Sequence, residues 1–266
     1  MLRQEGRKLY LTEKGKDFVN DELIIKRNSL ISISKKLGIS RDSLTRMVKE
    51  IYGEDFNLKR KFYLNEDYFK VIDSNEKAYW LGFLAADGYI NKNELVLELQ
   101  ESDMEHLIKF GNSISDGLSV RRIIHYRQNK SFTHYRVSFR SGRTIENLNK
   151  QGIFQNKSLS LLPPNLNPQY SPYWILGYMD GDGCLFKSKD RLKINFTGTK
   201  EVLTWIREYL NSNNQISQAH RCENNTFSFT LEVDLTNLFL KNICYEKLEY
   251  TLDRKRLIYI NYIAPL

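Results

Sequence analysis

The chain has 266 residues, of which 41% are hydrophobic and 27% are charged, and its net charge is +8. This composition is typical of a globular protein with room for two compact units and a small third, and the basic excess favours nucleic acid over a membrane as partner. No apolar run approaches the roughly 18 residues of a membrane span, the charged N-terminus does not resemble a signal peptide, and the cysteine spacing is not typical of disulfides or zinc, so we expect a cytoplasmic or organellar, not secreted, protein.

Residues 1–70 are predicted to form a small helical extension that ends in a linker with a basic run at 59–61. A short amphipathic pattern at 30–37 and a second pattern that begins after Ser40 predict two helices joined by a tight turn, and this arrangement resembles a helix-turn-helix. A small adaptor with a solvated basic face explains the same pattern, and both interpretations stay open. In the first interpretation the second helix presents these side chains to a major groove: Arg41, Ser43, Thr45, Arg46 and Lys49.

Residues 71–168 predict seven elements in the order αββαββα. An apolar helix that ends at Asp87 is followed by a hairpin over 89–100, a helix and a very basic hairpin over 119–140. A short helix closes the unit, and prolines mark its end.

Residues 169–266 repeat this order, beginning with an apolar helix that ends at Asp182. Hairpins are predicted over 185–197 and 215–232, with a helix between them and helical segments after them. The predicted fold class is therefore α+β, with two pseudo-symmetric αββαββα repeats and a small N-terminal helical domain.

The two apolar helices share a pattern of small residues. Gly82 and Ala86 are four residues apart, as are Gly177 and Gly181. Glycine inside a helix costs roughly 1 kcal/mol relative to alanine, so the pattern is explained if the two small-residue strips pack against each other. In a parallel pair, the terminal acids would then lie side by side at the negative ends of two helix dipoles, where a hard divalent cation would compensate their repulsion.

The stretches 78–88 and 172–183 resemble the paired LAGLIDADG motifs of the single-chain LAGLIDADG homing endonucleases. The family's metal-binding acids fall on Asp87 and Asp182. An earlier acidic position of the motif is filled by Asp180 in the second copy but by Ala85 in the first. The resemblance implies a monomer with internal pseudo-twofold symmetry that makes a metal-dependent, staggered double-strand break in a long asymmetric DNA target.

The resemblance also implies a set of catalytic residues. Mg²⁺, or another divalent cation such as Mn²⁺, would be bound by Asp87 and Asp182. Lys157 and Lys255 match positions where the family often has a catalytic lysine, although either could instead be a surface charge. Gln100 matches a position that orients water.

The polar faces of the two predicted sheets would together form a basic saddle for a DNA duplex, because arginine, lysine and amide side chains reach base edges and phosphates. A solvated strand face is the alternative for each single residue. The predicted contacts are Lys92, Arg121, Arg122, Arg127, His134, Arg136 and Arg140 in the first repeat, and Lys187, Lys189, Arg191, Lys193, Asn195, Gln218 and His220 in the second.

Two other functions fit the same fold. One is a DNA-binding transcription regulator that does not cleave, and the other is a maturase that binds intron RNA. The presence of both Asp87 and Asp182 favours the nuclease over the regulator.

Overall fold

The computed structural model describes residues 1–6, 8–25, 28, 30–53, 63–128, 130–219 and 226–264. They are divided between a smaller unit, residues 1–64 with 115–118, and a larger unit, residues 65–114 with 119–266. The predicted linker run at 59–61 and the predicted DNA contact His220 lie outside the described residues. None of the helices in the described ranges combines the length and the apolar character that crossing a membrane requires.

The smaller unit consists of a β-hairpin and helices around one apolar core. Its two later helices match the pattern found in the sequence, and Ser40 caps the second, accepting a hydrogen bond from the Ser43 amide (3.1 Å). The hairpin and the first helix were not predicted. The core is formed by Leu11, Val19, Leu30, Ile33, Leu44, Met47 and Val48. The elements are β1 Leu2–Glu5, β2 Lys8–Leu11, α1 Glu13–Asn20, α2 Leu30–Leu37 and α3 Arg41–Tyr52.

The larger unit begins with the first predicted repeat. Its strands form an antiparallel sheet in the order β3-β4-β6-β5, and α5 packs against β4 and β6. The elements are α4 Asn75–Ala86, β3 Gly88–Asn91, β4 Glu94–Gln100, α5 Met104–Ile114, β5 Arg121–Arg127, β6 Lys130–Arg140 and α6 Gly142–Lys150.

The second repeat has the same order of elements. Its antiparallel sheet has the strand order β7-β8-β10-β9, and α8 packs against β8 and β10. The predicted α+β fold with two αββαββα repeats is confirmed. Within the described residues, β9 begins at Ser217 and β10 ends at Thr230, whereas the sequence suggests a hairpin from 215 to 232. The elements are α7 Ser171–Asp182, β7 Cys184–Ser188, β8 Arg191–Gly198, α8 Lys200–Tyr209, β9 Ser217–Gln218, β10 Phe227–Thr230, α9 Val233–Asn242 and α10 Asp253–Ile263.

The stretch 65–70 packs within the larger unit and is not part of a linker. Phe69 is completely buried, and Glu66 accepts hydrogen bonds from the Ser141 hydroxyl (2.6 Å) at its side chain and from the Asn147 amide (3.1 Å) at its carbonyl oxygen. The boundary between the units therefore lies after residue 64, whereas the sequence placed it after residue 70.

Alternation along the strands gives each sheet one apolar and one polar face. In β4, Leu95, Leu97 and Leu99 are buried. In β8, Leu192, Ile194 and Phe196 are buried in the same way. The intervening side chains of each strand point to the opposite face of the sheet. We call these opposite faces the first and second polar faces.

Candidate functional site

Helices α4 and α7 pack together in parallel with their backbones in direct contact. A Cβ atom added at Gly82 would overlap the carbonyl oxygen of Trp174, and one added at Gly177 would overlap that of Tyr79. The two contacts are equivalent, because Trp174 follows Tyr79 by 95 residues (174 − 79) and Gly177 follows Gly82 by the same number (177 − 82). The glycines are therefore required for a close, pseudo-symmetric approach of two helices.

The two acids lie at neighbouring ends of this helix pair. Asp87 is the C-terminal cap of α4, and Asp182 is the last residue of α7. A Cβ atom at Gly181 would lie 3.3 Å from Asp87 Oδ2, so the Asp87 carboxylate rests against the last turn of α7. Burial and the negative charge of Asp182 raise the pKa of Asp87 to about 7, and burial also raises the pKa of Asp182.

A buried lysine caps each of these helix ends. Lys157 donates to the carbonyl oxygen of Ala86 (3.3 Å), at the end of α4, and is only 5% exposed. Lys255 is 3% exposed and belongs to α10. The alternative in which these lysines are surface charges is therefore wrong. The three carbonyl acceptors of Lys255 are Met179 (2.6 Å), Asp180 (2.7 Å) and Gly183 (2.6 Å).

The lysines act on the acids through their charge. Burial lowers the pKa of both lysines, while the nearby carboxylates oppose this shift. In return, Lys157 and Lys255 partly offset the cost of ionising Asp87 and Asp182. Because carbonyl oxygens occupy all three donors of Lys255, this ammonium group is suited to electrostatic stabilisation and not to accepting a proton.

The acid pair has the chemistry of a site for a hard divalent cation. Two neighbouring, largely desolvated carboxylates destabilise each other, as the raised pKa of Asp87 reflects, and both would gain from a bound cation. Asp87 and Asp182 would hold the ion, because Mg²⁺ and Mn²⁺ prefer carboxylate oxygens as ligands. The residues present therefore fit such a metal.

Asp180 has a structural role that sequence reasoning missed. Its carboxylate, in a side chain that is 2% exposed, accepts hydrogen bonds from the hydroxyls of Tyr79 (2.7 Å) and Tyr245 (3.0 Å) and from the amide of Leu252 (3.0 Å). Leu252 precedes α10, so Asp180 fixes the start of the helix that carries Lys255. The available signal was the difference between the two motifs, since the first repeat has Ala85 at this position.

Ion pairs with residues of the first repeat also hold the start of α10 in place. Arg254 forms a bidentate pair with Asp103 (both contacts 3.1 Å), and Lys109 contacts Asp253 (2.8 Å). Gln100, expected to orient water, donates to Asp103 Oδ2 (3.1 Å). Its amide thus belongs to the set of contacts that holds the N-terminal end of α10 against the first repeat.

The strand register divides the predicted DNA contacts of the first repeat between two faces. Arg121 and Arg136 are directly paired, and both lie on the first polar face, as do Arg127, His134 and Arg140. Arg122 is paired with Tyr135 and donates to the Thr133 hydroxyl (3.2 Å), so it lies on the opposite face. Its assignment to the saddle is therefore wrong.

The second repeat shows the same division. Arg191, Lys193 and Asn195 lie on the second polar face. Lys187 is paired with Leu192, and Gln218 with Phe227, so both lie on the opposite face and their assignment to the saddle is wrong. Successive side chains of a strand point to opposite faces, so a strand pairing that is shifted by one residue reverses the orientation of every side chain.

Two predicted lysine contacts lie in hairpin turns. Lys92 (φ 54) lies between β3 and β4, and Lys189 (φ 48) lies between β7 and β8. Each lysine therefore lies at the turn of the first hairpin of its repeat, so the two positions are equivalent.

In the smaller unit, the predicted DNA contacts have different surroundings. Arg41, the first residue of α3, is exposed. Ser43 is part of the helix cap and accepts a hydrogen bond from the Ser40 hydroxyl (2.9 Å). Arg46 pairs with Glu50 (2.7 Å) and donates to the Leu9 carbonyl oxygen (2.8 Å), so its guanidinium is engaged within the unit.

No protein-family model matches the chain, and no curated protein matches it. Among solved structures, the homing endonuclease I-WcaI bound to its DNA recognition sequence is similar over 73% of this chain and 90% of its own, with 13% identity and a TM-score of 0.48. The LAGLIDADG meganuclease I-AabMI bound to uncleaved DNA is similar over 62% of this chain and 82% of its own, with 14% identity and a TM-score of 0.39. The N-terminal LAGLIDADG domain of DUF199/WhiA is similar over 67% of this chain and 89% of its own, with 14% identity and a TM-score of 0.39. Structural neighbours of the chain thus include LAGLIDADG homing endonucleases and the LAGLIDADG domain of WhiA.

Proposed function

We propose that the protein is a site-specific DNA endonuclease that makes a metal-dependent double-strand break. The observation that carries this proposal is the pairing of Asp87 and Asp182 at adjacent ends of two helices whose glycines allow backbone contact. Two neighbouring buried carboxylates repel each other and so destabilise the folded state. Such a pair is expected where a cation has to be bound, because without a cation it contributes nothing to stability.

The residues of the site have distinct roles in this proposal. Asp87 and Asp182 hold Mg²⁺ or a similar divalent cation. When bound, the cation supplies an activated water and stabilises charge on the phosphate and the leaving oxygen. Lys157 and Lys255 partly offset the cost of ionising the two carboxylates and add positive charge beside the reacting phosphate. Asp180 positions Lys255 by anchoring the start of α10.

Basic side chains on the two polar faces bind the duplex. Arg121 and Arg127 on the first face, and Arg191 and Lys193 on the second, can reach phosphates and base edges in a groove. Because the two faces carry different side chains, each half of the protein would read a different half-site, which implies a long asymmetric target.

Cleavage of a library of long duplexes, in the presence of Mg²⁺ and in the presence of EDTA, tests the proposal. We expect double-strand breaks only with the metal, and we expect Asp87→Asn and Asp182→Asn to abolish them while DNA binding persists. Asp234→Asn is the matched control, since Asp234 is an exposed acid in the first turn of α9 and should retain activity.

The same assay separates the alternatives. DNA that is retarded on a gel but stays intact with Mg²⁺ would contradict the nuclease and support a binding regulator. Preference for intron RNA over duplex DNA would support a maturase. Loss of binding together with cleavage in the Asp87→Asn variant would indicate that the acid is structural.

A further inference from the structure

A second group of metal-ligand side chains lies on the first polar face. Among the residues that the structure describes, Glu98, His125 and His134 are the three His, Cys, Asp or Glu side chains whose potential ligand atoms lie within 4.8 Å of one another. They belong to the three adjacent strands β4, β5 and β6. The acid pair at the ends of α4 and α7 contributes none of them.

The strand register explains why these side chains converge. Glu98 is paired with Arg136, and the next residue along β6 on the same face is His134. His125 in β5 is paired with Phe132, the position that follows His134 on that face. The three side chains therefore form a diagonal row, and diagonal neighbours on one sheet face are within reach of long side chains.

One of the two distances in this group matches the spacing between two ligands of one ion, and the other is a direct hydrogen-bond contact. His134 Nδ1 lies 3.4 Å from Glu98 Oε1, and His125 Nε2 contacts the same carboxylate oxygen. Two ligands bound at ~2.1 Å to a tetrahedral Zn²⁺ lie roughly 3.4 Å apart. His134 and Glu98 thus already have the spacing of two ligands, and a rotation of the His125 ring away from Glu98 Oε1 would place an ion among the three atoms.

Arg136 orients the carboxylate without occupying the oxygen that faces the histidines. Its Nε and Nη2 atoms contact Glu98 Oε2 at 2.7 and 2.6 Å, which leaves Oε1 directed at His125 and His134. Although burial alone would raise the pKa of Glu98, hydrogen bonds from His125 and Arg136 lower it below its usual value. An oriented, ionised carboxylate is typical of metal sites in which a neighbouring group holds the ligand.

We propose that Glu98 Oε1, His125 Nε2 and His134 Nδ1 bind a transition-metal ion of the Zn²⁺ class, at a site separate from the acid pair. Two imidazole nitrogens and one carboxylate suit Zn²⁺, Co²⁺ or Ni²⁺, whereas Mg²⁺ prefers oxygen ligands only. Three protein ligands leave at least one coordination position open toward the first polar face.

The simpler alternative is an ion-pair cluster in which protonated histidine and Arg136 share the charge of Glu98. In that case the imidazole nitrogens carry protons and do not bind a metal. The two cases differ in whether the folded chain takes up a metal ion through its histidines.

Titration of the full chain with Zn²⁺ and Co²⁺, in excess Mg²⁺ so that the acid pair is saturated by the harder ion, distinguishes them. We expect one bound ion per chain by calorimetry, and visible d–d absorption for Co²⁺ in a site with nitrogen ligands. His125→Ala, His134→Ala and Glu98→Gln should each weaken binding at least about tenfold. The control is Asp87→Asn combined with Asp182→Asn, which should bind the ion as tightly as the unmodified chain.

A measurement on the unmodified chain makes the test independent of variant folding. With ¹⁵N-labelled histidine, Zn²⁺ should shift the ring signals of His125 and His134, while the signal of His106, which is 2% exposed, should not move. Absence of binding, or binding that persists in both histidine variants, would overturn the proposal. Because no DNA is present, neither outcome depends on whether the protein is a nuclease.

Discussion

At the scale of single residues, the acid pair lowers the free energy of unfolding once its carboxylates are ionised. Asp87 has a pKa of about 7 in the folded state because it is buried and faces Asp182, whereas its reference value is 3.8. The folded state therefore binds this proton more tightly than the unfolded state does. Stability is greatest when Asp87 is protonated and falls as the pH rises from 3.8 to about 7.

The variant Asp87→Asn should accordingly stabilise the protein in EDTA at neutral and alkaline pH. The gain in the free energy of unfolding should reach about 4 kcal/mol at most above the folded-state pKa, and it should vanish as the pH falls to the unfolded-state pKa. Urea unfolding at several pH values measures it. A gain that does not depend on pH, or a loss of stability near pH ~8, would contradict the raised pKa assigned to Asp87.

Tyr245 offers a second test at this scale. Its hydroxyl is one of three donors to Asp180, so Tyr245→Phe should lower the free energy of unfolding by about 1–3 kcal/mol and should loosen the start of α10. We expect slower cleavage with unchanged DNA affinity, because Lys255 is positioned through this contact. Rates under saturating DNA, compared with binding by fluorescence anisotropy, separate the two effects.

Tyr259→Phe is the matched control for this experiment. Tyr259 is also buried, and its ring lies 5.9 Å from that of Tyr245, but its hydroxyl is not a partner of Asp180. Equal cleavage defects in the two variants would show that the effect comes from general packing of α10 and not from Asp180.

At the scale of secondary-structure elements, much of the fold was predictable because periodicity reports burial. The apolar positions of β4 and β8 alternate, and the small residues of α4 and α7 recur every four positions, so the sheets and the close helix pair follow from the sequence. In the smaller unit, β1, β2 and α1 were missed, because short elements of four to eight residues carry a weak periodic signal.

The chemical surroundings of the site were less predictable than its acids. The burial of Lys157 and Lys255 depends on carbonyl oxygens at the ends of α4 and α7, which are not visible in a side-chain pattern. Arg122, Lys187 and Gln218 were misplaced for a different reason. Side chains alternate between the two faces of a strand, so an error of one residue in the register assigns every side chain to the wrong face. Basic residues occur at both odd and even positions of these strands, so the charge pattern alone does not show which face is polar.

The helix contact gives a prediction about these elements. Gly82→Ala and Gly177→Ala each place a methyl group against a backbone carbonyl oxygen that cannot move aside, so each should lower the free energy of unfolding by ~3 kcal/mol or more. Gly142→Ala is the control. Apart from its chain neighbours and the backbone of α6, no atom of the described residues lies within 4 Å of a Cβ at this position in the first turn of the helix, and the variant should gain ~0.5 kcal/mol.

Thermal and urea unfolding of the three glycine variants would decide the matter. If Gly82→Ala is as stable as Gly142→Ala, α4 and α7 do not pack at backbone contact. Asp87 and Asp182 would then not be held side by side, and this result would contradict the divalent-cation site that we propose at these two acids.

At the scale of the whole molecule, the net charge of +8 predicts salt-dependent DNA binding, and the strand register predicts which charges contribute. Arg121 lies on the first polar face, and its sequence neighbour Arg122 lies on the opposite face. If the polar face binds DNA, Arg121→Gln should remove about one phosphate contact and reduce the slope of log K against log salt concentration by ~0.9.

Arg122→Gln is the matched control, because it removes the same charge one residue away in the same strand and leaves the net charge of the two variants equal. It should change the slope much less than Arg121→Gln does. Equal slopes for the two variants would mean that only overall charge matters and that the strand face does not determine contact. A larger change for Arg122→Gln would place the duplex against the other face of β5. Affinities measured by anisotropy over a series of salt concentrations distinguish these outcomes, and they do so whether or not the DNA is cleaved.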